Sequence, residues 1–484
     1  MIAERENNLF IVTLLTSGLG IIFLSALSGN IPLVAIVALL PFIILTTYYF
    51  LRYPILLFFI YFTFNYYIIG IARYINIPYM SVLINVIFYS IFIVCFIHAI
   101  LLKSYERKYL FNFLSISSLF WLFYCILQLA NPTSVLLAWI ASRDTMLGMF
   151  TINIIVSLLF DRYKYVKIII FLYAIFSFSA DLVCFKQKIF GFDWAENQWL
   201  EAGNKITHIL NYGIRYFSFF SDGNNFGCSI AVSAVTFFIL AIYYKNKSLK
   251  VFYFIVSICS FISMFLSGTR GAMAVPFAAM FAYIVLVKNI RLAILGTTVL
   301  LLVYFILAFT TIGSSNTQVR RMRSVFKFEK DPSMLVRQNN NMRLSQYLKS
   351  KPFGEGLGLS GLENQKYAMR LTTAITTNSW YVKIWVETGI VGLIIYLIVV
   401  LGSMANATWI IMFKLKDSEL KGICISFICG ISGLLASSYA ATNFGQFPNY
   451  LITFAFLSIV LKAEYFDQEI KESIIDKRKK ITNL

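Results

Sequence analysis

Residues 224–288 read NNFGCSIAVSAVTFFILAIYYKNKSLKVFYFIVSICSFISMFLSGTRGAMAVPFAAMFAYIVLVK. The stretch holds three apolar runs, 224–244, 251–268 and 271–288, each close to the ~20 residues that cross a bilayer as a helix. Lys245, Lys247 and Lys250 separate the first two. Only Ser267-Gly-Thr-Arg-Gly271 separates the second from the third. Two long runs joined by so little chain form a helical hairpin in the membrane, with Arg270 forced to its rim.

Outward from this hairpin, the same pattern fills the chain. Further spans are expected at about 9–27, 31–50, 54–72, 79–102, 109–130, 146–161, 165–185, 291–312, 385–412, 419–441 and 448–464, about fourteen in all. The 484 residues are 59% hydrophobic and 13% charged, against about 25% charged in a soluble domain. The mean hydropathy of +0.76 agrees. The fold class expected is therefore an all-α polytopic integral membrane protein. The seven cysteines, Cys95, Cys125, Cys184, Cys228, Cys259, Cys424 and Cys429, fall in or beside apolar runs with no CxxC. They read as small buried hydrophobes rather than a disulfide or metal framework. The first run follows Met1–Asn8 without a basic leader and reads as a retained helix.

Charge sorts the connections into two sets. One set is short and basic: Arg52; Lys103, Arg107 and Lys108; Arg162, Lys164 and Lys167; Lys245, Lys247 and Lys250; Lys288 and Arg291; Lys414, Lys416 and Lys421. The positive-inside rule places these, and both termini, in the cytoplasm. The opposite set carries three longer segments, 131–145, 186–223 and 313–377. The organisation expected is a bundle over 1–312, holding helices 1–11 and the outer loop 186–223. A large outer loop over 313–377 follows, then helices 12–14 over 378–464 and a basic cytoplasmic tail over 465–484. The 313–377 loop holds eleven Lys/Arg against four Asp/Glu, a patch suited to an anionic ligand or to lipid headgroups.

Polar residues gather on the outer side. Arg215, Asp222 and Asn225 precede the 224–244 run. An arginine at a membrane rim is costly unless paired, and its fork suits phosphate oxygens, which marks Arg270. Arg337 lies in the large loop. Lys351-Pro-Phe-Gly-Glu-Gly-Leu-Gly358 is a glycine-rich turn, either an ordinary loop or a place where backbone N–H groups approach a ligand. Glu387, near a membrane edge, reads as a candidate base or as an ion-pair partner. His208 could titrate as acid or base or be an ordinary surface histidine; His98 reads as structural. Asp181, inside a span, needs a partner. No nucleotide motif, HExxH or DxD-like cluster occurs, so neither metal nor cofactor is implied.

The order of these motifs resembles the O-antigen ligase and Wzy-type polysaccharide polymerase superfamily over about 110–465. The residues carrying the likeness are Leu129-Ala-Asn-Pro132 with Arg143, Arg215 with Asp222-Gly-Asn-Asn225, Ser267-Gly-Thr-Arg-Gly271, Arg337 ahead of Pro352-Phe-Gly-Glu-Gly-Leu-Gly358, Asn378 to Gly389, and Gln446-Phe-Pro448. The resemblance implies a membrane-embedded, GT-C-like, metal-independent inverting glycosyltransferase in the bacterial cytoplasmic membrane. It implies a donor glycan on undecaprenyl pyrophosphate, with a chain-length regulator protein as a further partner and no nucleic acid. It implies pyrophosphate or glycan binding by Arg215, Arg270, Arg337, Arg143, Asn225, Asp222 and Asn378. Ligases of this superfamily usually show His-Asn where this chain has Thr377-Asn378. That departure favours a repeat-unit polymerase over a ligase, with a transporter or flippase of the lipid-linked glycan as a third reading. It leaves Glu387, then His208, as candidates for the base.

Overall fold

The structure, a computed structural model, describes residues 48–75, 80–100, 107–210, 213–287, 290–311, 319–320, 323 and 332–482. The expected span 9–27, nearly all of 31–50, and Arg321, Lys327 and Lys330 lie outside these residues. The chain forms two compact units, Met1–Ile60 and Tyr61–Leu484. In the first, the described residues 48–60 are helical on either side of Tyr53 and include the start of the helix Pro54–Tyr74.

The described chain is helical apart from one antiparallel pair, Ile209–Leu210 with Gly213–Ile214. Among the described residues, eight helices are long and apolar enough to cross a membrane: Pro54–Tyr74, Phe113–Ala130, Tyr163–Phe190, Gly223–Tyr243, Lys247–Leu266, Arg270–Val287, Trp380–Phe413 and Ser418–Ser437. A ninth is the pair Asn449–Leu461 and Ala463–Asp476 if its 56° bend lies within one span. Helices Met80–Ile100, Arg143–Leu159 and Ile290–Phe309 occupy three further expected positions. The protein is thus an all-α polytopic membrane protein.

In lipid, hydrophobicity does not say which helix lies inside, so packing and polarity decide. Gly223–Tyr243 and Ser418–Ser437 have 78% and 83% of their central windows buried, against 33% for Arg270–Val287. Every residue of Asn449–Leu461 is buried. These three helices form the core of the larger unit. Ser418–Ser437 lies against both Gly223–Tyr243 and Ala274–Val287. At Gly433 a Cβ would come within 2.6 Å of Val275 Cγ1, so the small residue permits the close crossing. Peripheral helices turn Phe120, Phe123, Phe261 and Phe281 outward, as a lipid-facing surface requires.

The two sets of connections collect at opposite ends. At the basic end Lys167 pairs with Glu419 and Lys245 with Asp417, each at 2.7 Å. The Lys416 and Asp417 amides donate to Asp467 Oδ1, and the Tyr163 amide to Glu469 Oε2. This end is held by ion pairs between connections and the C-terminal helix. The other end carries 131–145, 186–223, 266–271, 349–380 and 438–448, and the candidate site is built there.

Candidate functional site

The site starts from how the chain enters the helix Gly223–Tyr243. Asp222 is its N-cap, accepting from the Asn224 and Asn225 amides at 2.7 and 3.0 Å. Such caps satisfy donors that the helix cannot. Asn225 is fully buried; its amide donates to Ser221 Oγ and to the Phe447 carbonyl, and it accepts from Asn449 Nδ2 at 3.0 Å. Both residues therefore build the scaffold. Asp222 Oδ1 and the Asn225 side-chain amide are engaged by the protein, and Asp222 Oδ2 accepts from Ser221 Oγ at 3.1 Å.

His208 is buried rather than a surface histidine. Its Nε2 accepts from the Gly223 amide at 3.1 Å and its Nδ1 lies 2.9 Å from the Asn204 carbonyl. This pattern assigns the ring proton to Nδ1. Burial, opposed by the Asn204 carbonyl and aided by Arg215, holds the imidazole below its ordinary pKa. Both ring nitrogens are occupied, so no lone pair faces an acceptor hydroxyl. His208 is a neutral second cap on the helix start.

Arg215 lies between these elements. Its amide donates to the His208 carbonyl at 2.8 Å, and its Nη2 donates to Thr269 Oγ1 at 3.2 Å. Thr269 Oγ1 in turn donates to the Gly223 carbonyl at 2.6 Å. The Ser267–Gly271 turn, with Gly268 at φ +59°, is thereby tied to the cap, and Arg215 and Arg270 come to one place. Arg270 opens the short 3-10 turn Arg270–Met273 and is half-buried.

Arg337 joins them from the large loop. It lies on Pro332–Leu348, whose Leu344 and Leu348 pack with Ile375 and Val386. Burial, and then the charge of Arg270, push the Arg337 guanidinium below its ordinary pKa. A fold that sets like charges near each other stores repulsion that an anion would relieve. Arg143 is elsewhere: Nη1 reaches the Ile140 carbonyl at 3.5 Å, and none of its described contacts joins it to Arg215 or Arg270. Asn378 is exposed and touches Thr376.

The glycine-rich turn is a packing device. The Glu355 and Gly356 amides donate to the Val386 and Glu387 carbonyls at 2.9 and 3.0 Å. These carbonyls are available because the helix Trp380–Phe413 breaks at Gly389, φ +70°. Gln128 and Asn131 donate to the Phe353 and Gly354 carbonyls. A Cβ on Gly358 would meet the Ala138 carbonyl and lie 2.7 Å from Ser142 Oγ. The Gly354, Glu355 and Gly356 N–H groups are consumed within this wedge. Glu355 is buried beneath it and binds Lys351 at 2.6 Å and Arg370 at 2.7 Å. Two of the loop's cations thus serve an internal ion pair that spacing alone does not reveal.

Glu387 lies under the same wedge with 1% exposure. Ser360 Oγ donates to its Oε1 at 2.9 Å, while Oε2 is buried without a hydrogen-bond partner. Such a carboxylate pins the loop from beneath. Asp181 takes the partner it needed, Ser260, at 2.8 Å.

This chain resembles two sets of known proteins at this point. A family model described as O-antigen ligase matches residues 255–397, which include Arg270, Arg337, the glycine wedge and Glu387. An O-antigen polymerase of Salmonella muenchen is 26% identical over 216 residues. That alignment covers 43% of this chain and 51% of the relative, so the chain spans about half the length of the curated relative it matches. Together the matches support membership of the O-antigen ligase and Wzy-type polymerase superfamily.

Proposed function

We propose that the chain is a polysaccharide polymerase acting on lipid-linked repeat units of O-antigen, capsule or exopolysaccharide. The observation that carries this reading is that Arg215 donates to Thr269, beside Arg270, so that arginines of two separate segments flank one place; Arg337 of the large loop is proposed as a third. In the proposed reaction an acceptor sugar hydroxyl attacks the anomeric carbon of a glycan on undecaprenyl pyrophosphate. The anomeric C–O bond breaks, its electrons move to the pyrophosphate oxygen, and the single displacement inverts the anomeric centre. Negative charge grows on the leaving group, where fixed guanidinium groups in a water-poor site stabilise it. They would supply the positive charge that a metal supplies elsewhere. The acceptor proton goes to a general base; His208 and Glu387 act as positioning groups. The basic end would face the cytoplasm, as the positive-inside rule has it, and the site would face outward from the cytoplasmic membrane.

Two further observations favour a polymerase: Thr377 stands where ligases of the superfamily usually carry histidine, and the curated relative is named as a polymerase. The ligase reading draws on the description of the matched family model. Purified protein incubated with lipid-linked repeat units in EDTA separates them. A ladder of products supports the polymerase; transfer of a single finished chain to a lipid or protein acceptor supports the ligase.

A further inference from the structure

Arg73, at the end of the helix Pro54–Tyr74, is an isolated cation closing an apolar run. Its guanidinium lies against the rings of Trp199 and Phe217, at 4.5 and 4.6 Å from their centroids, which are themselves 4.7 Å apart, so the two rings pack as a pair to one side of it. Nη1 donates to the Ser218 carbonyl at 2.7 Å, and Nη2 donates to the Phe220 carbonyl. Its Nε is buried without a partner. A guanidinium with both terminal nitrogens on carbonyls and an aromatic pair against it is turned into the protein. It is not placed to bind a ligand.

The turn it grips is unusual. Ser218 has φ +50°, a left-handed backbone that a residue with a Cβ adopts only when its surroundings hold it there. Every polar atom of Ser218 is held. Its amide donates to Gln187 Oε1 at 3.0 Å and its hydroxyl to the Ala180 carbonyl at 2.9 Å. Its carbonyl accepts from both Gln187 and Arg73. Gln187 is itself fixed by Glu196, which with Asp193 binds Lys186. Three residues before Ser218 is Arg215, and two after Phe220 is the cap Asp222.

We propose that Arg73 is a positioning residue of the anion site: by clamping the Ser218–Phe220 turn it fixes where Arg215 and the Asp222–Gly223 helix start are presented. Arginine is required because one planar fork spans two carbonyls while lying against the Trp199–Phe217 pair. Lysine keeps the charge but offers neither the fork nor the plane. The proposal rests on Arg215 binding an anion, and the test separates the two claims.

Inorganic pyrophosphate affinity is measured by calorimetry on detergent-purified full-length protein, alongside turnover of lipid-linked repeat units. The variants are Arg73→Lys, Arg215→Lys and the double variant, each checked for a single elution peak and a cooperative melt. Arg73→Lys is expected to weaken pyrophosphate binding about tenfold, the scale of one lost charge-assisted hydrogen bond. The double variant is expected to be no weaker than Arg215→Lys, because Arg73 acts through Arg215. Wild-type affinity in Arg73→Lys, or losses that add in the double variant, would overturn the proposal. Wild-type protein that makes product without binding pyrophosphate overturns the positioning claim and leaves the polymerase reading intact. The expected binding pattern without any product overturns the polymerase and leaves the clamp. A wild type that does neither overturns both.

Discussion

Replacing Gly389 by alanine tests the wedge that organises the large loop. Gly389 sits at φ +70° and ψ −176°, a region essentially confined to glycine, where an L-residue costs roughly 1–3 kcal/mol. Its Cβ would strike the Pro352 carbonyl and lie 2.5 Å from the Gly354 nitrogen. Neither is the movable end of a side chain, so the Pro352–Gly356 backbone has to withdraw. Withdrawal breaks the bonds from Glu355 and Gly356 to the Val386 and Glu387 carbonyls, worth about 1 kcal/mol each. The expected loss is about 3–5 kcal/mol. Gly191→Ala is the control: Gly191 lies in the same backbone region, φ +83° and ψ −171°, but a Cβ there meets nothing within 4 Å. It should lose only the backbone term of roughly 1–3 kcal/mol. The assay is chemical unfolding in detergent, combined with limited proteolysis across 349–362. Gly389→Ala should be clearly less stable than Gly191→Ala and newly cleaved in the loop. Equal effects from the two substitutions, with the loop still protected, would refute the close-packing argument.

Acidification tests the cap at His208. Its pKa is lowered by burial, so the unfolded chain takes up a proton near 6.5 before the folded protein does. The cap's contribution is therefore present above pH 6.5 and is lost as pH falls towards the folded value. The groups whose charges act on the ring are Arg215, Asp222 and Arg73. Melting temperature should decline below pH 6.5 in the wild type and less steeply in His208→Gln, whose amide oxygen can still accept from Gly223; parallel declines would remove His208 from the explanation. For Glu387, glutamine preserves the acceptor for Ser360, so Glu387→Gln should retain most product formation, measured as initial rate. A folded Glu387→Gln protein more than about 100-fold slower would restore Glu387 as the base.

Much of the architecture was legible because lipid imposes strict terms. Length and apolar composition located the hairpin of residues 224–288, and the basic residues sorted the connections into two ends, the basic one held by the ion pairs Lys167–Glu419 and Lys245–Asp417. The juxtaposition of Arg215 with the Thr269–Arg270 turn followed from both lying at the same ends of neighbouring spans. Hydrogen-bond ownership was not legible. Three glycines in five residues are compatible with a ligand cradle and with a backbone wedge, and only the break at Gly389 shows whose carbonyls they serve. Asp222, Asn225 and His208 are polar residues beside a helix start, and nothing in their spacing separates a cap from a ligand. Arg73 gave no sequence signal, because its partners Trp199, Phe217, Ser218 and Phe220 are more than a hundred residues away in the chain.

The most direct test of the proposed anion site is product formation by Arg215→Ala and Arg270→Ala, reconstituted with lipid-linked repeat units and run beside the wild type. Removing one fixed donor to a developing charge typically costs 100-fold or more. Both variants should elute and melt as the wild type does and yield no ladder. A ladder of wild-type length and rate from either variant would contradict the account.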